Sequence, residues 1–343
     1  MMKKKILTLV AVCAAMTANA TVLRVSNVNG STAPYSTIQA AHDAASAGDT
    51  IMVDGSETRY GLTEISKQLV LIGPGFWIND NGLVQEAVPS ATAEFLIHAD
   101  AAGTVIEGFT FKYVNTQLLT INADNCIVRR CYFYNHTGYT GIRFSRDKVD
   151  DVYSGPDPSG AIIQQNFFAD CGITTQFLEG LMTNVQITNN IFMNNEGEAD
   201  IRNINSSYIA YNTMVGGTNW QGFNTVYSST IKHNIIRTVE VNEILETHPN
   251  WKLWLENIHY VDTNEWSDNY EMQSAAVEYS TDKDILNLET IKDKSKDYGA
   301  FAGDSPYVIS GIPAAPVIED LIVPTTVEAG SKMKVTLKVG VQK

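Results

Sequence analysis

Cysteine is scarce in this chain of 343 residues, with four in all, and one of them, Cys13, falls in an N-terminal leader. The other three, Cys126, Cys131 and Cys171, allow at most one intramolecular bridge, which excludes a disulfide-built scaffold. Cys126 and Cys131 lack the two further ligands of a zinc site and are read as core residues. Long apolar runs are also missing. The run from Ile6 to Met16 is too short for a membrane helix of ~20 residues, and no later stretch is long and apolar enough, so no membrane span is expected. Positive charge is in deficit, with 24 Lys and Arg against 38 Asp and Glu. That balance excludes nucleic acid as a partner. It would repel an anionic polysaccharide unless a local basic strip or a bridging cation intervened, and a neutral glycan fits it more easily. No phosphate-cradling glycine loop, zinc-protease helix or Gly-x-Ser-x-Gly elbow is present. The six histidines show no metal-ligand spacing.

What the chain does have is a leader and a repeat. Lys3-Lys4-Lys5, the apolar run to Met16 and Ala18-Asn19-Ala20 form the three parts of a secretory signal, with Thr21 as the expected first mature residue. Val12 ahead of Cys13 is bulkier than a lipid-anchor site favours. The repeat reads Ile163-Gln-Gln-Asn166-Phe-Phe168, Ile187-Thr-Asn-Asn190-Ile-Phe192, Ile209-Ala-Tyr-Asn212-Thr-Met214 and Ile231-Lys-His-Asn234-Ile-Ile236. Its asparagines stand 24, 22 and 22 residues apart. An aliphatic residue three before each Asn and a large apolar one two after it fit two short strands meeting at a bend. An inward Asn at each bend can bond its copy one coil away, because stacked strands lie ~4.8 Å apart. Phe109 and Cys131 take the Asn slot in earlier coils, and Asn257 extends the ladder at the far end.

Coils of this length, without a leucine-rich or helical period, specify a single-stranded parallel β-helix of about nine to eleven coils. Ser36 and Gln39 read as a capping box opening a helix to Ala47, which would close the N-terminal end. The 13 extra residues between Cys131 and Asn166 read as a polar corner insertion over Asp147–Gly160. Asp262 to Asp297 has no clear element, residues 298–316 read as a connection, and Val317–Val323 with Met333–Val339 form a small β appendage, read as a lid for the C-terminal end. The division expected is a signal at 1–20, the β-helix at 21–300, and linker and appendage at 301–343.

The ladder, with Ser36-Thr-Ile-Gln-Ala-Ala41, Ala47-Gly-Asp-Thr-Ile51, Tyr298-Gly-Ala-Phe301 and Ser310-Gly-Ile-Pro313, resembles the pectate-lyase-like right-handed β-helix superfamily, and in particular secreted β-helix proteins of Bacteroidota. The resemblance implies a right-handed, all-β fold and a glycan or cell-surface polysaccharide as partner. It carries over no catalytic set. The polygalacturonase motifs are missing except for an Asp-Asp pair, Asp150-Asp151, and the pectate-lyase motifs are missing altogether.

Register supplies a candidate site instead. With Ile201 and Phe223 inside, Asp200, Arg202 and Asn224 face out, with Arg143 and Glu179 on nearby coils. Arg143, Glu179, Asp200 and Arg202 are the catalytic candidates for a polysaccharide lyase or hydrolase. Asp147, Asp150, Asp151 and Asp157 in the insertion are calcium candidates, although no cofactor is required. The competing readings are a glycan-contacting protein without catalysis and a structural or adhesive protein without a saccharide ligand. Asp200 with Arg202 as a solvated pair, Arg129-Arg130 and Lys232-His233 as surface charges, and the tryptophans 220, 251, 254 and 266 as core closure or sugar platform complete the alternatives.

Overall fold

The structure, a computed structural model, describes residues 20–343 apart from 79, 83–88, 113–117, 136–139, 176–181, 194–198, 216–220, 238–264, 273–280, 314–315, 323–334 and 342–343. The leader up to Asn19, His136, Glu179, Asn257 and Trp220, Trp251 and Trp254 lie outside the described residues.

Short strands at 22-residue spacing cannot pair with their chain neighbours and instead stack on the next coil. Three parallel sheets of ten, seven and eight strands result, and the chain is a right-handed parallel β-helix. In the first sheet one inward column runs Leu23, Ile51, Leu71, Ile106, Val128, Ile163, Ile187, Ile209, Ile231 and Trp266. Trp266 is the last described residue of this column and packs edge-on to Phe223. In the second sheet Phe111, Phe133, Phe168 and Phe192 stack face to face at 4.6, 4.8 and 4.7 Å. Each fully buried Phe contributes about 1.5–3 kcal/mol.

Between these sheets the asparagines form a directed chain. Each Nδ2 of Asn166, Asn190, Asn212 and Asn234 donates to the Oδ1 of the next rung at 2.9–3.0 Å. Each receiving Oδ1 also accepts the preceding rung's backbone N–H. The rung after Asn234 is Asn269. Glu265–Ser267 and Tyr270–Met272 make the last described coil, so the stretch after Asp262 is not irregular throughout.

The residue ahead of each rung has positive φ: Arg130, Gln165, Asn189, Tyr211, His233 and Asp268. This left-handed step turns the chain between the first two sheets and leaves those side chains on the outside. A strap, residues 298–313, runs back along this column. Gly299 N donates to His233 O, Asn189 Nδ2 to the carbonyls of Ala300 and Ala302, Gln165 Nε2 to those of Ser305 and Pro306, and Arg130 Nη1 to that of Ile312. The strap and two short helices, Asp282–Asn287 and Glu289–Lys294, bury Ile285, Ile291, Ala300 and Tyr307 against Phe167, Ile191 and Ile235 on the outer face of the second sheet.

Several readings change accordingly. Arg129 and Arg130 are not solvated charges: both pair with Glu107, which is 3% exposed. His233 pairs with Asp268 and stacks on Tyr211. The N-terminal helix is Ile38–Ala44 and is capped by Thr37, whose side chain accepts from Ala40 N. Ser36 lies one residue too early, and Gln39 reaches His42, Asp43 and Glu64 N rather than back to a cap. Ile38 and Ala41 join the core with Leu23, Ile51 and Ile65. The appendage is an antiparallel pair, Pro316–Ile322 with Thr336–Val341. It does not start at the C-terminal end, because Pro313 lies against Gly108 and three residues reach only ~11 Å further.

Candidate functional site

The third sheet carries Arg143 and Arg202 on its outer face. Glu64 pairs with Leu96, Leu96 with Thr120, Thr120 with Arg143 and Arg143 with Thr174. Ile173 pairs with Ile201, which sets Thr174 beside Arg202, and Arg202 pairs with Asn224. Arg143 and Arg202 thus lie in one column, two rungs or ~9.6 Å apart. Both are half-buried. Burial pulls the Arg143 guanidinium below its usual value, the Tyr153 phenol opposes, and the Arg202 charge adds to the fall.

Asp200 is outward by register yet 1% exposed. An extra residue, Gly141, sits where Thr140 pairs with Gly172 and Ile142 with Ile173. A side chain on Gly141 would meet Cys171 Sγ and Phe168 at 3.1 Å, so the bulge packs closely on the neighbouring turn. Cys171 is buried there, and its thiol is raised far above the usual range by burial, with the Asp170 and Asp200 carboxylates adding to the effect. Burial likewise pushes Cys126 and Cys131 up to about 12. All three cysteines are free. Of the four catalytic candidates, then, Arg143 and Arg202 share the face, Asp200 is closed off beneath it, and Glu179 lies outside the described residues.

The insertion folds as a hairpin, Asp147–Val149 with Val152–Ser154. Asp150 and Asp151 form its two-residue loop, both with positive φ as a type I′ turn requires. Asp151 pairs with Lys148 and Asp157 with Arg146. Asp147 turns to the sheet: its Oδ1 accepts from Asn122 Nδ2 at 2.7 Å and meets His98 Nδ1 at 2.9 Å, and its Oδ2 accepts from Ala99 N at 2.9 Å. Among the described residues no three His, Cys, Asp or Glu side chains are placed to share a metal ion. His98, passed over in the sequence because its partner is 49 residues away, also faces Glu64 Oε2 at 3.4 Å. An imidazole held between two carboxylates can accept, hold or pass a proton beside the arginine column.

Asp147 is the anchor of the hairpin. Burial pushes its carboxyl up, but the Ala99, Asn122 and His98 donors outweigh burial and hold it below the ordinary value of 3.8. A lowered carboxyl stabilises the folded form above its unfolded value and loses that contribution as pH falls through the folded one. Asp147→Asn is therefore expected to cost about 1 to 2 kcal/mol of hairpin anchoring at neutral pH. The measurement is amide exchange over residues 148–154. Unchanged exchange would refute the anchor.

No protein-family model matches the chain, and no curated protein matches it.

Proposed function

We propose that the chain is an exported member of the pectate-lyase-like superfamily, of the kind secreted by Bacteroidota, which contacts a glycan through the outer face of its third sheet. The observation that carries this reading is the column Thr120, Arg143, Thr174, Arg202 and Asn224. Its hydrogen-bonding side chains repeat at the rung spacing, close to the length of one sugar unit in an extended chain. The two arginines supply the local positive strip that an acidic glycan needs on a chain of net charge −14. The leader, with its lysines, apolar run and Ala-Asn-Ala, supports export.

The test is electrophoresis of the protein through gels containing uronate-rich or neutral polysaccharides, with and without calcium. Retardation by a uronate polymer is expected, with Arg143→Ala plus Arg202→Ala weakening it about a hundredfold, or ~1.4 kcal/mol for each arginine removed. No retention by any uronate polymer would overturn this reading, and no retention by any polymer at all would leave a structural or adhesive role. A second reading, lyase or hydrolase action on the same face, is favoured by His98 between Asp147 and Glu64. Unsaturated or reducing ends released by the wild type and abolished in His98→Ala would establish it.

A further inference from the structure

A different feature lies where the C-terminal cover reaches the last described coil. Tyr270 follows Ile235 in the outer column of the second sheet. Ile235 is sealed by the cover, whereas Tyr270 is half-buried and faces an open cleft. The helix Glu289–Lys294 passes beside it. Ile291 points into the second core, and Glu289, Lys292 and Asp293, spaced i, i+3 and i+4, share an exposed flank. Tyr270, Glu289, Lys292 and Asp293 line the cleft, whose volume is about 570 Å³. The Tyr270 ring is steadied from its surroundings: Lys294 Nζ stands 5.0 Å from its centroid, and the Tyr298 ring lies 6.0 Å away. Tyr298 is fixed in turn by donating to Asp268 at 2.9 Å.

We infer that this cleft is a second binding site, and that it takes one uncharged sugar unit packed against the Tyr270 ring beside Lys294. A pyranose presents an apolar C–H face and a rim of hydroxyls that both donate and accept. Its described lining presents an aromatic ring, two carboxylate acceptors four residues apart, of which Asp293 is paired with Lys294 at 3.3 Å, and the Lys292 ammonium donor. The alternatives fit less well. A phosphate or uronate would meet two carboxylates against two ammonium groups, Lys292 and Lys294, with no net positive charge to hold it. A bare cation would meet Lys292 beside the carboxylates, and Lys294 lies across the ring. An apolar ligand would have three charged side chains to desolvate. This site does not depend on the third-sheet face, which lies on another side of the coil and favours an acidic chain.

The experiment is affinity electrophoresis of the full chain in gels of neutral polymers, namely galactomannan, xyloglucan, mixed-linkage β-glucan, α-mannan and dextran. Retardation is expected in at least one. Tyr270→Ala is expected to raise the dissociation constant about tenfold, with Tyr270→Phe close to wild type. Because Tyr270→Ala could loosen the last rung, the exposed Glu289→Gln and Asp293→Asn provide the second line, each weakening retention severalfold with an unchanged melting curve. Arg143→Ala plus Arg202→Ala is expected to leave neutral-polymer retention intact while removing retention by polygalacturonate, which separates the two sites. The inference is overturned if no neutral polymer retards the protein, or if Tyr270→Ala, Glu289→Gln and Asp293→Asn all migrate as wild type.

Discussion

Asn190→Ala is expected to lower the unfolding free energy by about 3 kcal/mol, with an unchanged denaturant slope. The side chain is fully buried, and all its polar capacity within the ladder is used. Its Nδ2 donates to Ile163 O at 2.9 Å and to Asn212 Oδ1 at 3.0 Å, and its Oδ1 accepts from Asn166 N and Asn166 Nδ2. Alanine leaves the Asn166 amide N–H facing a void too dry to satisfy it, and a buried orphan costs ~1 to 3 kcal/mol before the weakened packing is counted. Asn190→Asp should be worse at neutral pH, because it keeps the two acceptor bonds but sets an oxygen against Ile163 O and Asn212 Oδ1. At the last described rung Asn269 accepts from Asn234 N and Nδ2 and donates to Ile231 O, but it is half-buried, so water can replace its partners and Asn269→Ala should cost no more than ~1 kcal/mol. Guanidinium melts of the three variants check the order. Equal effects at Asn190 and Asn269 would mean that the ladder bonds are not what holds the coils.

That ladder was readable because its period is long and its inward positions are chemically alike. Counting by twos from Ile201 and Phe223 was enough to set Arg143 and Arg202 on one face. It could not show that Asp200 is covered, since register sorts a side chain into inside or outside and says nothing of what other coils place over it. The second core was hidden differently. Phe167, Ile191 and Ile235 directly follow ladder asparagines, and an apolar residue on both sides of a strand means both faces are buried. Their cover, Ile285 to Tyr307, begins far along the chain and carries no local mark of its destination. The left-handed residues Arg130, Gln165, Asn189 and His233 look like ordinary surface positions in the sequence. Three of them bind strap carbonyls through their side chains, and His233 does not: its backbone carbonyl takes the Gly299 amide.

Asp282→Ala is expected to release that strap at a cost of about 3 kcal/mol. Asp282 is fully buried and joins three distant segments. Its Oδ1 accepts from Asn81 Nδ2 at 2.8 Å and Lys283 N at 2.9 Å, and its Oδ2 from Tyr307 OH at 3.0 Å and Ser310 N at 2.6 Å. Without the carboxylate Asn81 still has Ser310 Oγ, but the Tyr307 hydroxyl and the Ser310 amide lose the acceptor they share. Amide exchange should accelerate across 299–311 and at Phe76, whose N–H donates to Ser310 O, while Asn166, Asn190 and Asn212 stay protected. Gly311→Ala tests the same docking without touching Asp282. Its φ is +54°, and an added Cβ would crowd Arg130 O and the Phe76 ring. The pH dependence has a definite sign. Burial raises the Asp282 carboxyl above 3.8, with the four donors pulling the other way, so the native form holds the proton to higher pH than the unfolded chain. Its contribution is therefore complete below about 3.8 and declines as pH rises through the folded value. The hairpin anchored by Asp147 responds oppositely, loosening as pH falls. In wild type, acid should thus protect residues 299–311 while exposing residues 148–154, and Asp282→Asn should abolish the first response alone. Parallel responses of the two segments would show that the strap is not held through Asp282.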